Sequence, residues 1–210
     1  MADTMIKICG LSTPETVDAA VDAGATHIGF NLYEPSPRSI TAEQARALKA
    51  RLPERVKAVL LLVNMEAEPT ARAIAAVQPD VVQFHGSETP EWLALLRSNT
   101  PLEIWKAVGV REAASLERAK RFKGAVDRVL YDAPARALPG GNGLAIDWSL
   151  LAGHRHEMMW GLAGGLTPDN VADAIRQTGA PLVDTSSGVE IEPGVKDPER
   201  IKAFVRAVRG

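Results

Sequence analysis

Residues 56–63 read "VKAVLLLV". After Lys57 no polar side chain interrupts the run, so it offers no face to water. A strand with one wet face alternates apolar with polar residues, whereas a strand covered on both faces reads as a nearly continuous apolar run. Strands of the second kind belong to parallel sheets layered with helices. Residues 58–63 are far too few to span a bilayer. The same character recurs at "MIKIC" (5–9), "HIGFNL" (27–32), "VVQFH" (81–85) and "EIWKAV" (103–108), and again at "RVLYDA" (128–133), "MMWGLAG" (158–164) and "LVDTSS" (182–187).

Helical patterns fill the intervals. "STPETVDAAVDAG" (12–24) opens on Ser12 or Thr13 as N-cap with Pro14 in the first turn, puts Val17, Ala20 and Val21 on one face, and closes on glycine. "TAEQARALKARL" (41–52) pairs Thr41 with Gln44 in a capping-box pattern. Residues 89–98, 167–179 and 197–209 repeat the cap-then-proline opening, and 69–77 and 111–122 supply two further helices. After the sixth strand the alternation fails: "PARALPGGNGLAIDWSLLAG" is glycine-rich and predicts a long loop in place of most of a helix. Eight strands alternating with seven or eight helices point to a (β/α)8 TIM barrel, one domain over residues 1–210. The competing doubly wound open sheet normally uses fewer strands at this length, and no G-x-G-x-x-G follows the first strand.

Composition narrows the function. The chain has 210 residues, 46% hydrophobic and 24% charged, with a formal net charge of −2. The most basic stretch, "RAKRFK" (118–123), carries Leu116, Ala119 and Phe122 at helical spacing and reads as a solvated helix face, so no nucleic-acid partner is expected. The beginning of the sequence lacks a basic segment followed by an apolar one, and no membrane association is expected. A single cysteine excludes an internal disulfide and fits a reducing compartment, so the expected location is cytoplasmic.

In a TIM barrel the chemistry sits at the C-terminal ends of the strands. Those ends carry Cys9, Asn31, Asn64, Gln83, His85, Asp132, the glycines 164 and 165, and Ser186 with Ser187. "GLAGGLTPDN" and "DTSSGVE" place glycines and hydroxyls in the loops after strands seven and eight, where glycine lets backbone N–H groups approach an anion closely. A tight turn would explain either loop alone; both together favour phosphate. Cys9 could be a small core residue, but Lys7 faces the same side and an ammonium there favours thiolate. Asp132 is either a general acid or a loop-capping carboxylate. Arg38, between the prolines of "EPSPRS", suits a substrate carboxylate, although an exposed loop arginine is the default. Lys106 raises imine chemistry, against the simpler reading of an internal charge neutralised by a carboxylate. "HRH" (154–156) lacks a third ligand nearby, and no metal is assigned.

The motifs "KICGL" (7–11), "SPRSIT" (36–41), "VVQFHG" (81–86), "LYDA" (130–133), "GGNGLAIDW" (140–148), "LAGGLTPDNV" (162–171) and "DTSSGVE" (184–190) occur in one order. Together the ordered set resembles the phosphoribosylanthranilate isomerases of tryptophan biosynthesis. The resemblance implies a cofactor-free Amadori rearrangement of an aminoaldose to an aminoketose, with a small phosphosugar as substrate; the sequence leaves monomer and homodimer both open. It implies Cys9 as the base at the sugar C2′ and Asp132 as the acid at the ring oxygen. Arg38 would take the anthranilate carboxylate, and Gly164, Gly165, Ser186, Ser187 and Gly188 the phosphate. Lys7, Gln83 and His85 complete the expected substrate site. Two departures stand out: "PGGNG" (139–143) where many members have Gly-Gly-Thr-Gly, and "AIDW" (145–148) for the commoner "FDW". The rivals are the histidine-pathway aminoaldose isomerase, whose strand-one base is an aspartate, and a non-catalytic phosphate binder, which would lack the acid or the base.

Overall fold

The apolar run at 56–63 forms a strand over Lys57–Leu62, every residue after Lys57 buried. It is the third of eight: β1 (Met5–Cys9), β2 (His27–Asn31), β3 (Lys57–Leu62), β4 (Val81–Phe84), β5 (Glu103–Gly109), β6 (Arg128–Asp132), β7 (Met159–Leu162) and β8 (Leu182–Thr185). In this computed structural model, which describes residues 4–134 and 146–210, the strands pair in parallel in sequence order. β8 then returns to β1 and closes the barrel. Closure leaves no edge strand exposed, and a covering of helices explains why the strands lack polar alternation.

The helices are α1 (Pro14–Ala23), α2 (Ala42–Lys49), α3 (Ala67–Val77), α4 (Pro90–Asn99), α5 (Ala113–Ala119), α6 (Val171–Thr178) and α7 (Pro198–Arg209). Thr13, not Ser12, caps α1, its side chain accepting from the Thr16 N–H. Thr41 and Gln44 form the expected reciprocal capping box on α2. Proline stands in the first turn of α1, α4 and α7, where its missing N–H costs no helical bond. The expected opening at Thr167-Pro168 is displaced: α6 begins at Val171, because Asn170 turns its side chain back on the preceding loop. Its Oδ1 accepts from the Thr167 N–H at 2.8 Å, and its Nδ2 donates to the Gly165 carbonyl at 3.0 Å.

Between β6 and β7 the described residues hold a single 3-10 turn, Trp148–Leu150, in place of a helix. The glycine-rich "PGGNG" segment lies outside the described residues. Ile146 of the "AIDW" segment is buried in the core. Beyond β8 the chain makes an unforeseen antiparallel hairpin, β9 (Glu190–Glu192) and β10 (Val195–Lys196). Its strands are too short and polar to show a period-two pattern.

Alternation along each strand separates two cores. Ile6, Ile8, Leu60, Leu62 and Val129 face the helices. Val59, Val81, Trp105, Ala107, Leu130 and Leu182 fill the barrel interior. Trp105 is fully buried there, its ring 5.1 Å from that of His27 and 5.2 Å from the Arg128 guanidinium. Burial holds the His27 imidazole down to about 3, so the ring is neutral near pH 7. Trp105 has no substitute of similar volume in the interior. Trp105→Ala is expected to lower unfolding free energy by about 3–5 kcal/mol in urea titration; a change under about 1 kcal/mol would show that the interior is not packed around it.

Candidate active site

The interior parity that buries Val81 and Leu130 also brings the next inward residues, Gln83 and Asp132, to the top of the barrel. On β1 the inward pair is Lys7 and Cys9. The result is a cavity of about 540 Å³, open mouth included, lined by Cys9, Arg38, Gln83, His85, Asp132 and the loops after β7 and β8. Gly164, Gly165, Ser186, Ser187 and Gly188 all line it. Ten of the eleven residues expected from the sequence therefore meet at one opening.

Lys7 is the exception. It is wholly buried, and its ammonium lies 2.8 Å from Asp184 Oδ2 in the register where β1 pairs with β8. It stands beneath the cavity instead of on its wall, because residue 9, not 7, ends the strand. Burial works against the Lys7 ammonium, but Asp184 and Cys9 outweigh it and hold its pKa above the ordinary lysine value. At Cys9 the balance reverses the expected sign. Burial pushes the thiol up, and Lys7, pulling it down, offsets only part of the rise.

Asp132 ends β6, and its two carboxylate oxygens have different partners. Oδ1 accepts from the Ala133 N–H at 2.7 Å, and Oδ2 lies 3.2 Å from His85 Nε2. His85 in turn sits on a braced loop. Glu88 accepts from the N–H groups of Asn64 at 2.9 Å and Gly86 at 3.0 Å, and Lys106 lies 3.2 Å from its Oε2. Lys106 also donates to the Gly86 and Ala107 carbonyls, so it is the neutralised internal charge and not an imine-forming amine. Of the "HRH" segment, His156 stacks on Trp160 at 3.9 Å, and among the described residues no group of three metal-ligating side chains occurs.

The β7 loop turns through Gly164 and Gly165, both with positive φ of 83° and 67°. A side chain at Gly164 would also collide with Asp132 Oδ1 at 2.9 Å. Thr185 donates to the Leu166 carbonyl at 2.7 Å and ties this loop to the one after β8. Arg38 reaches the cavity from the loop after β2, its Nε and Nη2 donating to Glu190 at 2.7 and 2.8 Å.

Residues 6–207 match the family model for N-(5'phosphoribosyl)anthranilate (PRA) isomerase. The chain belongs to the phosphoribosylanthranilate isomerase family. Over 206 residues it is 64% identical to the N-(5'-phosphoribosyl)anthranilate isomerase of Erythrobacter litoralis, covering 98% of this chain and 99% of that one. It also superposes, at TM-score 0.87 and 35% identity with 99% of each chain covered, on a phosphoribosyl anthranilate isomerase in complex with reduced 1-(o-carboxyphenylamino)-1-deoxyribulose 5-phosphate. A monomeric form of the dimeric Thermotoga maritima enzyme matches with the same TM-score, identity and coverage. No helix of the described residues is long and apolar enough to cross a membrane.

Among the residues the sequence reading did not single out are Asp184, which lines the cavity, and Gly29, Glu190 and Lys196, which stand behind residues that do. Asp184 was legible as the inward residue after Leu182. Gly29 pairs with Cys9 across β1 and β2, and a Cβ there would stand 2.9 Å from Cys9 Sγ. Gly29→Ala is expected to displace the thiol and lower kcat about 10–100-fold while circular dichroism stays native; unchanged kcat would mean that the thiol position does not matter. Burial alone would lift the Glu190 carboxyl, but Arg38 and Lys196 bring it from 4.5 down to about 2. Its contribution to stability is thus complete above the unfolded-state value and disappears as pH falls from there toward 2. Unfolding titrations of wild type and Glu190→Gln should converge over that interval; a constant gap would contradict the assignment.

Proposed function

We propose that Cys9 and Asp132 are the base and acid with which this family member isomerises N-(5′-phosphoribosyl)anthranilate to 1-(o-carboxyphenylamino)-1-deoxyribulose 5-phosphate. The observation that carries this reading is that the ends of β1 and β6, Arg38 and the glycine- and serine-rich loops after β7 and β8 all line one cavity. That arrangement matches a substrate with an anion at each end and a sugar ring between them.

Asp132, protonated, gives its proton to the furanose ring oxygen. The C1′–O bond breaks as the anthranilate nitrogen forms a protonated imine to C1′. The imine withdraws electrons from C2′, and Cys9 as thiolate takes the C2′ proton, leaving an enolamine that tautomerises to the aminoketose. Each step is a proton transfer or an electron shift within the substrate. The Ala133 N–H and His85 keep the Asp132 carboxyl in one orientation. Phosphate in the β7 and β8 loops and carboxylate at Arg38 fix register, so that both reacting atoms are presented together.

Two buried acceptors support the sugar position. Gln83 Oε1 and Asp184 Oδ1 have no hydrogen-bond donor among the described residues. An unsatisfied buried acceptor is costly, and the ribulose hydroxyls are donors of the right kind. A thiol that works as a base must stay reduced, which supports a cytoplasmic setting. The protein acts as a monomer or as a homodimer, the Thermotoga maritima relative being dimeric.

The purified protein is expected to consume phosphoribosylanthranilate without added metal or nucleotide, followed by the loss of anthranilate-type fluorescence. Cys9→Ala and Asp132→Asn should each reduce kcat by about 10²–10⁴ with the fold retained. Near-wild-type turnover in either variant would remove the role given to that residue.

A further inference from the structure

The chain does not pass directly from β8 to α7. The intervening β9–β10 hairpin folds back against the loop that carries Arg38 and meets it twice. Glu190 takes the Arg38 guanidinium on both of its carboxylate oxygens. At the hairpin turn, Gly194 with φ of 88° packs so closely on the Pro37 carbonyl that a side chain has no room. On the other strand, Lys196 Nζ donates to Glu190 Oε1 at 2.6 Å, to the Ser186 carbonyl at 3.0 Å and to Ser186 Oγ at 3.1 Å. Ser186 Oγ donates to the Cys9 carbonyl at 3.1 Å. Arg38, Glu190 and Lys196 are each at most 9% exposed.

These contacts form one chain of buried polar groups, from the arginine assigned to the carboxylate to the loop assigned to the phosphate and on to the strand end bearing Cys9. A buried ion pair is a weak source of net stability, because desolvation opposes the attraction. Its use lies elsewhere. A two-point carboxylate grip fixes the plane of a guanidinium, which a single charge does not. The grip also removes rotamer freedom from Arg38 before the substrate arrives, and affinity gains when ordering is already done. The Glu190 carboxyl, lowered to about 2, stays ionised throughout the working range.

Building on the site reading above, we infer that Glu190 and Lys196 are positioning residues: they hold Arg38 and the Ser186 loop at a fixed separation and thereby set the span between the anionic ends of the substrate. Neither touches the reacting atoms. They act on binding, through Arg38 and through Ser186.

Steady-state kinetics on phosphoribosylanthranilate test this. Glu190→Gln is expected to raise KM about tenfold or more while kcat changes less than about threefold, and Lys196→Met should shift KM in the same direction. Glu190→Asp, which keeps the charge, should restore part of the loss. In an Arg38→Ala background Glu190→Gln should add little, because the group it orients is gone. An Arg38→Ala variant with unchanged KM would overturn the site reading itself. Raised KM in Arg38→Ala with wild-type KM in Glu190→Gln would overturn only the positioning role, as would a fall in kcat at constant KM. If Glu190→Gln does not fold, wild type decides by NMR. The Arg38 Nε–H of the ligand-free protein should give a resolved resonance protected from solvent exchange, and rapid exchange would overturn the inference.

Discussion

The barrel closes where β8 meets β1, and at that seam the fully buried Lys7 pairs with Asp184, which itself borders the cavity. Removing one partner from such a pair strands the other charge and typically costs about 3–5 kcal/mol. The constraint reaches beyond stability. Alternation on β1 puts Cys9 one inward position above Lys7, and on β8 the inward position after Asp184 is Ser186, in the polar loop that begins past Thr185. The first and last strands therefore deliver a thiol, a cation and a carboxylate to one place, although 177 positions separate Lys7 from Asp184 in the sequence.

That placement sets two opposing influences on Cys9. Burial favours the neutral thiol and Lys7 favours the thiolate, with burial ahead. A raised pKa makes the thiolate scarcer and more basic at once. For a proton on carbon next to an iminium, a strong base present as a minor species is workable, provided the substrate is held at hydrogen-bonding distance. In the proposed mechanism that holding falls to the rest of the site: His85 with the brace of Glu88 and Lys106 behind it, Asp132 with the Ala133 N–H on it, and Arg38 with the hairpin behind it.

Much of this was legible in the sequence because barrels turn one-dimensional order into radial position. Strand ends are readable from apolar runs, and the runs at 57–62 and 81–84 are nearly as short and clean in the structure as in the sequence. Cys9, Gln83, His85 and Asp132 followed from those ends. Parity places Lys7 on the same side as Cys9, but it gives direction and not depth, and Lys7 lies beneath the cavity lining. Asn170 shows another limit: its side chain secures the loop before it, which a cap-and-proline pattern at Thr167 cannot reveal. Glu190 and Lys196 were hidden for a different reason. Their partners, Arg38 and Ser186, lie in separate loops, and a two-residue strand carries no periodicity.

The most direct test is the pH dependence of Cys9 alkylation by iodoacetamide in the free enzyme, compared with Lys7→Met. The chain has one cysteine, so the rate reports that thiol alone. The wild-type midpoint should lie above the ordinary thiol value of 9.0, and the Lys7→Met midpoint higher still. A wild-type midpoint below the ordinary value, or one that Lys7→Met leaves in place, would contradict the balance of burial and charge on which this reading of the site rests.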